Sequence, residues 1–334
     1  MLSDKQKVFL LALIIVLCIV VWFGWAYHQF VYRPLIPIDG KFVTIQVKPG
    51  SSLKQITQQL VVKKILQEPL FFMWYGRAHR LDTKLQAGEY AIEPGMTAAQ
   101  LMHNMLSGKI IVHKIQFIEG WTFNEFLNAL NTDKALQHIL THDADKQIMQ
   151  KLKSSYQNPE GLFFPDTYAF TWQETDFDIL QRAYQRTQLI LKQAWENRAK
   201  DLPYKNAYQA LIVASLIQNE AKVPNEREKI AGVIVRRLKK WMHLQIDASV
   251  IYGLHDPYGT KLTKKDLKKN TPYNLYLHYG LPPTPISMPG AASIRAALHP
   301  DHSKALYYVA KGDGTHVFSD TYAEQQKAIK KFLN

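Results

Sequence analysis

The chain has 334 residues, enough for one or two folded domains with a sizeable core, and its 47% hydrophobic and 21% charged residues exclude intrinsic disorder. Its 41 basic against 28 acidic residues leave a net charge of +13, which favours anionic partners such as membrane surfaces, nucleic acid or acidic polymers without choosing among them. A single cysteine excludes an intrachain disulfide framework and a cysteine-rich zinc site.

Residues 8–27 run for 20 positions without a charge, long enough to cross a hydrocarbon core of about 30 Å. The run ends in Trp22, Phe23, Trp25 and Tyr27, an aromatic belt rather than the small-residue cleavage site of a signal peptide, so an uncleaved anchor is expected. Lys5 and Lys7 precede the run and Arg33 follows it, which orients the N-terminus to the cytoplasm and the rest of the chain outside the inner membrane. Cys18 lies within the apolar run behind Leu17, where a lipoprotein site would need a small residue, and reads as a thiol rather than a lipid anchor.

After a linker over residues 28–41, residues 42–47 alternate as a strand and Pro49-Gly50 break it before a helix over 51–63. The phrase recurs: Pro49, Gly50, Ser52, Gln55 and Ile56 match Pro94, Gly95, Thr97, Gln100 and Leu101 at the same spacing, and the second copy follows a strand at 89–92. Ser52 and Thr97 read as helix caps, with ligand binding the alternative, so residues 42–110 form a small α+β module.

A strand over 114–118 and a helix from Thr122 to Leu130 lead into polar residues, and 111–158 reads as a connector. Residues 160–168 (Glu-Gly-Leu-Phe-Phe-Pro-Asp-Thr-Tyr) suit neither a simple helix nor a simple strand. Three helices follow over 175–198, 207–221 and 226–241, the last with a capping box from Asn225 to Glu228, and Lys311-Gly312-Asp313-Gly314 marks a hairpin between strands at 306–310 and 315–319. The pattern is an α+β chain with an N-terminal anchor, a small module and a larger mixed α/β domain over 159–334.

Val213, Ile217 and Glu220 lie on one helical stripe, so the Glu220 carboxyl projects from an apolar face. Desolvation there raises its pKa, as a general acid near neutral pH requires; an ion pair with Lys222 or Arg227 is the structural alternative. Gln245, Asp247, Tyr252, Tyr273, Asn274 and Tyr276 mix polar and aromatic groups in the way a sugar, with hydroxyls and apolar ring faces, would be held. His138 and His142 have a helical pair spacing, but Ile139 stands where a zinc protease needs glutamate and no third ligand is evident. No nucleophile elbow, phosphate loop or dinucleotide fingerprint occurs, and neither metal nor cofactor is expected. The basic run over 261–269 reads as a solvated face or a contact with anionic lipid or wall polymer rather than a nucleic-acid site.

Together these stretches resemble the endolytic murein transglycosylase family, known as MltG or YceG-like. The likeness rests on the anchor, the module, residues 160–168, Ala-Ser-Leu-Ile-Gln-Asn-Glu at 214–220, Leu-Gln-Ile-Asp at 244–247 leading to Ile-Tyr-Gly at 251–253, Tyr-Asn-Leu-Tyr at 273–276 and Gly-Leu-Pro-Pro at 280–283. The resemblance implies a LysM-like module and Glu220 as the acid. It also implies cleavage of the MurNAc–GlcNAc β-1,4 bond in nascent peptidoglycan strands to 1,6-anhydro ends, terminating elongation. Peptidoglycan synthases and the division or elongation machinery are the implied partners. Hydrolysis of the same bond, with Asp247 as second carboxylate, and a non-catalytic wall-binding scaffold are the competing readings. Two departures stand out: Gln218 replaces the first glutamate of the family's Glu-x-Glu phrase, and Glu324-Gln325 replaces a common Glu-His.

Overall fold

The computed structural model describes residues 3–257 and 259–332. The chain divides into two compact units, Met1–His113 with Ala169–Glu174, and Lys114–Tyr168 with Thr175–Asn334.

The first unit begins with α1 (Asp4–Tyr32), capped by a reciprocal Ser3–Gln6 box and long and apolar enough to cross a membrane. The residues expected as a linker are in part helical, because α1 continues to Tyr32. Ala26 and Phe30 on its last turns, and Ile36 beyond them, are buried in the unit's core. β1 (Val43–Val47), α2 (Leu53–Val62), α3 (Pro69–Ala78), α4 (Leu81–Lys84), β2 (Gly88–Ile92) and α5 (Ala98–Leu106) follow. β1 and β2 pair antiparallel from Val43 opposite Ile92 to Val47 opposite Gly88. Strand alternation turns Ile45 and Val47 inward against Ile56, Leu60, Phe71, Phe72 and Leu101 while Gln46 faces out. Both repeated phrases do what their sequence implies locally: Ser52 with Gln55 and Thr97 with Gln100 form capping boxes that start α2 and α5.

The remaining elements are β3 (Val112–Gln116), α6 (Phe123–Thr132), α7 (Asp145–Lys151), β4 (Thr167–Thr171), α8 (Asp176–Glu196), α9 (Ala207–Glu220), α10 (Arg227–Lys239), α11 (Asp247–Gly253), α12 (Ala291–Leu298), β5 (Tyr307–Ala310), β6 (His316–Ser319) and α13 (Tyr322–Phe332). Each described sheet has two strands, β1 with β2, β3 with β4 and β5 with β6. The second unit is therefore α+β with helices predominating. Of the stretch 111–158, read as a connector, residues 114–158 fold within it and contribute Phe126, Leu130, Ile148 and Met149 to its interior.

α9 is the axis of this unit. Every residue from Ala210 to Ile217 is buried, the signature of a helix covered on all sides, and α8, α10, α11 and α12 pack on it, α12 most extensively. Burying side chains such as Leu211, Val213, Leu216 and Ile217 contributes about 1.5–3 kcal/mol each. Asn206 caps its start by accepting from the Gln209 N–H at 3.0 Å, and its last helical residue is Glu220. The Asn225–Glu228 box does not form. Pro224–Glu226 make a 3-10 turn, Glu226 occupies the cap position of α10, and its side chain is spent on His316.

Candidate active site

Glu220 ends a helix whose interior is apolar, so its carboxyl emerges where desolvation is strong and the local backbone dipole is negative, two influences that oppose ionisation. Tyr308, on β5, donates from its hydroxyl to Glu220 Oε2 at 3.1 Å, and the Ala248 N–H at the start of α11 also donates to the carboxyl. Burial pushes the Glu220 carboxyl up to about 7; Tyr308, Ala248 and His316 lower it, while the charge of Asp247 raises it further. The expected alternative of a Lys222 or Arg227 ion pair is replaced by these hydrogen bonds. Burial also holds the Tyr308 phenol well above its usual range, so it stays a donor.

The hairpin that delivers Tyr308 is tied down at three points. Glu226 Oε1 accepts from the His316 N–H at 2.9 Å and Oε2 meets His316 Nδ1 at 2.7 Å, both side chains being nearly buried. The His316 ring lies edge-on to Tyr308, with centroids 5.3 Å apart. Gln325 on α13 donates to the Tyr308 carbonyl at 3.0 Å, so the position that departs from the common Glu-His supports the hairpin. Arg237, on α10, donates to the carbonyls of Leu306 at 2.7 Å and Leu244 at 2.9 Å and stacks 5.2 Å from the centre of the Tyr307 ring.

The other residues singled out from sequence divide into four groups. Asp247 and Tyr276 join the acid: the Tyr276 hydroxyl donates to Asp247 Oδ1 at 2.6 Å, the charge of Asp247 acts on Glu220, and that of Glu220 raises the Tyr276 phenol. Gln245 stands two residues away, its side-chain oxygen accepting from Arg237 at 3.3 Å. Tyr252 and Tyr273 line a cleft of about 940 Å³ that also takes in Trp121, Glu160, Gln218, Asn219 and Ala248, so Ala248 belongs both to this cleft and to the donor set of Glu220. Asn274 is the exception. It is fully buried, its amide hydrogens are spent on the Leu267 and Lys269 carbonyls, and its oxygen accepts from the Tyr276 N–H, so it shapes the loop that carries Tyr273 and Tyr276 and presents nothing to a ligand.

Gln218 uses its side-chain oxygen twice, accepting from the Gly290 N–H at 3.1 Å and from Ser293 Oγ at 2.7 Å. Both bonds need only an acceptor oxygen, which either Gln or Glu supplies; this accounts for the tolerance of glutamine there.

Sequence reasoning missed Glu160 as a site group. It is buried in the cleft wall, accepts from the Phe123 N–H and from the Tyr252 hydroxyl, each at 3.1 Å, and burial pushes its carboxyl up to about 8 against those two hydrogen bonds. Gly161 beside it has φ +78° and lies where a Cβ would collide with the Pro285 ring, so only glycine carries the chain past this point. Tyr308, His316 and Glu226 were missed as well, and the only sequence signal was the hairpin itself.

A raised carboxyl near neutrality, a phenol held as donor to it, a neighbouring carboxylate and an aromatic-lined cleft form an arrangement suited to giving and taking a proton beside a bulky polar ligand. The YceG-like family profile matches residues 45–331. An endolytic murein transglycosylase of Bacillus subtilis strain 168 is 28% identical over 329 residues, covering 93% of this chain and 90% of the relative. A protein of that name from Streptococcus pneumoniae serotype 2 strain D39 is 22% identical over 366 residues, covering 98% of this chain and 66% of the relative. The crystal structure of a yceG-like protein from Listeria monocytogenes superimposes with a TM-score of 0.55 at 29% identity, covering 86% of this chain and 99% of its own. With most of its length matched, the chain belongs to the YceG-like family.

Proposed function

We propose that this protein is a membrane-anchored endolytic lytic transglycosylase that cleaves the MurNAc–GlcNAc β-1,4 bond of nascent peptidoglycan strands, with Glu220 as its single acid and base. The observation that carries the reading is the Glu220 carboxyl, pushed to about 7 by burial and held by Tyr308 and Ala248. In the first step Glu220 gives its proton to the glycosidic oxygen as the C1–O bond breaks. The resulting carboxylate takes the proton of the C6 hydroxyl of the same MurNAc, whose oxygen closes on C1. The acid is regenerated and no water is consumed. A group titrating near 7 serves both steps, since it is neither too weak to give the proton nor too strong to take one. Asp247, oriented by Tyr276, places negative charge beside the developing oxocarbenium ion, and Tyr252 and Tyr273 offer ring faces to the sugars.

The same reading assigns α1 as a single-pass inner-membrane anchor with its N-terminus in the cytoplasm, and residues 42–110 as a LysM-like module. Support comes from the apolar length of α1 and from the paired strands β1 and β2 with helices between them. Peptidoglycan synthases and the division or elongation machinery are the proposed partners.

The test of the reaction is the chemistry of the new ends. Uncrosslinked strands incubated with the protein yield 1,6-anhydro-MurNAc ends by mass spectrometry if the proposal holds; reducing MurNAc ends would make the enzyme a hydrolase, and strand binding without new ends would make it a scaffold.

A further inference from the structure

We propose that α3 is a membrane-contacting element, laying Leu70 and Trp74 into the headgroup boundary of the bilayer that α1 crosses. The inference rests on the anchor reading of α1 and concerns the first unit alone.

Phe23 belongs to the charge-free run of α1 and lies four residues inside its end at Tyr27, about 6 Å along the helix axis. Its ring meets Trp74 edge-on with centroids 4.9 Å apart and Phe71 at 5.2 Å. Trp74 therefore shares the depth of Phe23, whatever depth α1 adopts. The joint between α1 and the rest of the unit is packed. Ala26 and Phe30 are buried in the core, and Phe30 touches Phe71, Phe72 and Tyr75, so the level of α3 is fixed by side chains and not by a flexible tether.

The two faces of α3 divide accordingly. Phe71, Phe72 and Gly76 turn inward, whereas Leu70 and Trp74, one helical turn apart, are 64% and 52% exposed. Burying such side chains elsewhere in this unit is routine; leaving both on one stripe beside an apolar helix matches a surface whose solvent is lipid. Tryptophan at that level suits the headgroup zone, and exposed Arg77 one turn further on the same helix suits anionic phosphates. The consequence is a module whose orientation to the membrane is set by two helices, with no freedom to swing about a single anchor.

The test uses the full chain with Cys18→Ser, spin-labelled singly through Leu70→Cys or Trp74→Cys and reconstituted in vesicles of phosphatidylethanolamine and phosphatidylglycerol. Val16→Cys on α1 and Glu93→Cys, next to the turn that accepts from and donates to residues beyond the end of α1, serve as references. The proposal predicts that the ratio of oxygen to nickel-chelate accessibility at positions 70 and 74 lies severalfold above that at 93 and below that at 16. A ratio at 70 and 74 equal to that at 93, with 16 deep in lipid, overturns the proposal and leaves the anchor standing. Low accessibility to both reagents at 70 and 74 means a protein surface covers them and overturns it too. An aqueous ratio at 16 overturns the anchor reading and with it this one. Leu70, already mostly exposed, carries the test if Trp74→Cys fails to fold.

Discussion

Tyr308 donates a hydrogen bond that favours the ionised form of Glu220, and Asp247 repels that form, so replacing the two moves the acid in opposite directions. Activity that needs protonated Glu220 falls as pH rises through about 7. Tyr308→Phe removes a stabiliser of the carboxylate, and its alkaline limb moves to higher pH; Asp247→Asn removes the repulsion, and its limb moves to lower pH. Each variant loses about a hundredfold in kcat, the lower end of what general acid–base catalysis contributes, because Glu220 is then mis-tuned. Rates of anhydro-end formation measured across pH check both signs, and limbs moving the same way would contradict the assignment. Glu160 behaves differently. Its carboxyl is neutral at pH 7 and is held by two donors, so Glu160→Gln keeps at least half the activity while Glu160→Ala opens the cleft wall and loses stability by about 1–3 kcal/mol, readable by denaturant titration. Of these residues the sequence exposes Glu220 and Asp247, through helical spacing and motif. Tyr308 and His316 stand 88 and 96 positions from Glu220, and no local pattern announces a contact made by folding a hairpin back onto a helix end.

Among elements, the hairpin of β5 and β6 depends on Arg237 for its position, because one guanidinium bonds both the loop before α11 and the strand entry at Leu306. Lysine cannot make these divergent bonds from a single plane. Arg237→Lys is expected to cost about 1.5–3 kcal/mol in denaturant unfolding, to raise hydrogen exchange at residues 306–310 and to lower activity without moving Glu220 itself. Unchanged exchange in that strand would show that other contacts hold it. Element-level reading from sequence works where the signal is local. The Ser52 and Thr97 boxes form because Gln55 and Gln100 stand at the matching third position, and α9 is legible from its continuous apolar composition. It fails at Asn225–Glu228, where the same local pattern exists but a distant histidine claims Glu226 and the chain turns as a 3-10 helix first. Capping is worth about 1 kcal/mol, so a buried hydrogen-bonded pair outweighs it.

Across the whole molecule, the site stores instability that depends on pH. The folded carboxyls of Glu220 and Glu160 sit at about 7 and about 8 against an ordinary value of 4.5. As pH rises past 4.5 the unfolded chain ionises these groups while the folded chain keeps them protonated, so stability is fully present below that value and is lost until pH passes about 7 and about 8. Glu220→Gln, which keeps one acceptor oxygen and has no charge to desolvate, is expected to stabilise the protein at pH 8 by about 1–2 kcal/mol and to leave it unchanged near pH 4. Thermal melts at the two pH values measure the difference; equal melting temperatures at both would mean that Glu220 is not desolvated. The long apolar helix α1 and the α+β class were readable from run length and strand alternation, whereas the passage of 114–158 into the second unit was not, since its apolar residues are spread thinly through a polar segment and find their partners only in three dimensions.

The most direct measurement sets the three carboxyls side by side. Glu220→Gln, Asp247→Asn and Glu160→Gln, each shown folded by thermal melting, are incubated with uncrosslinked peptidoglycan strands and the anhydro-MurNAc ends counted by mass spectrometry. The account predicts no ends above background from Glu220→Gln and measurable ends from the other two. Wild-type turnover by folded Glu220→Gln would contradict it and pass the proton transfers to whichever of Asp247 and Glu160 proves indispensable.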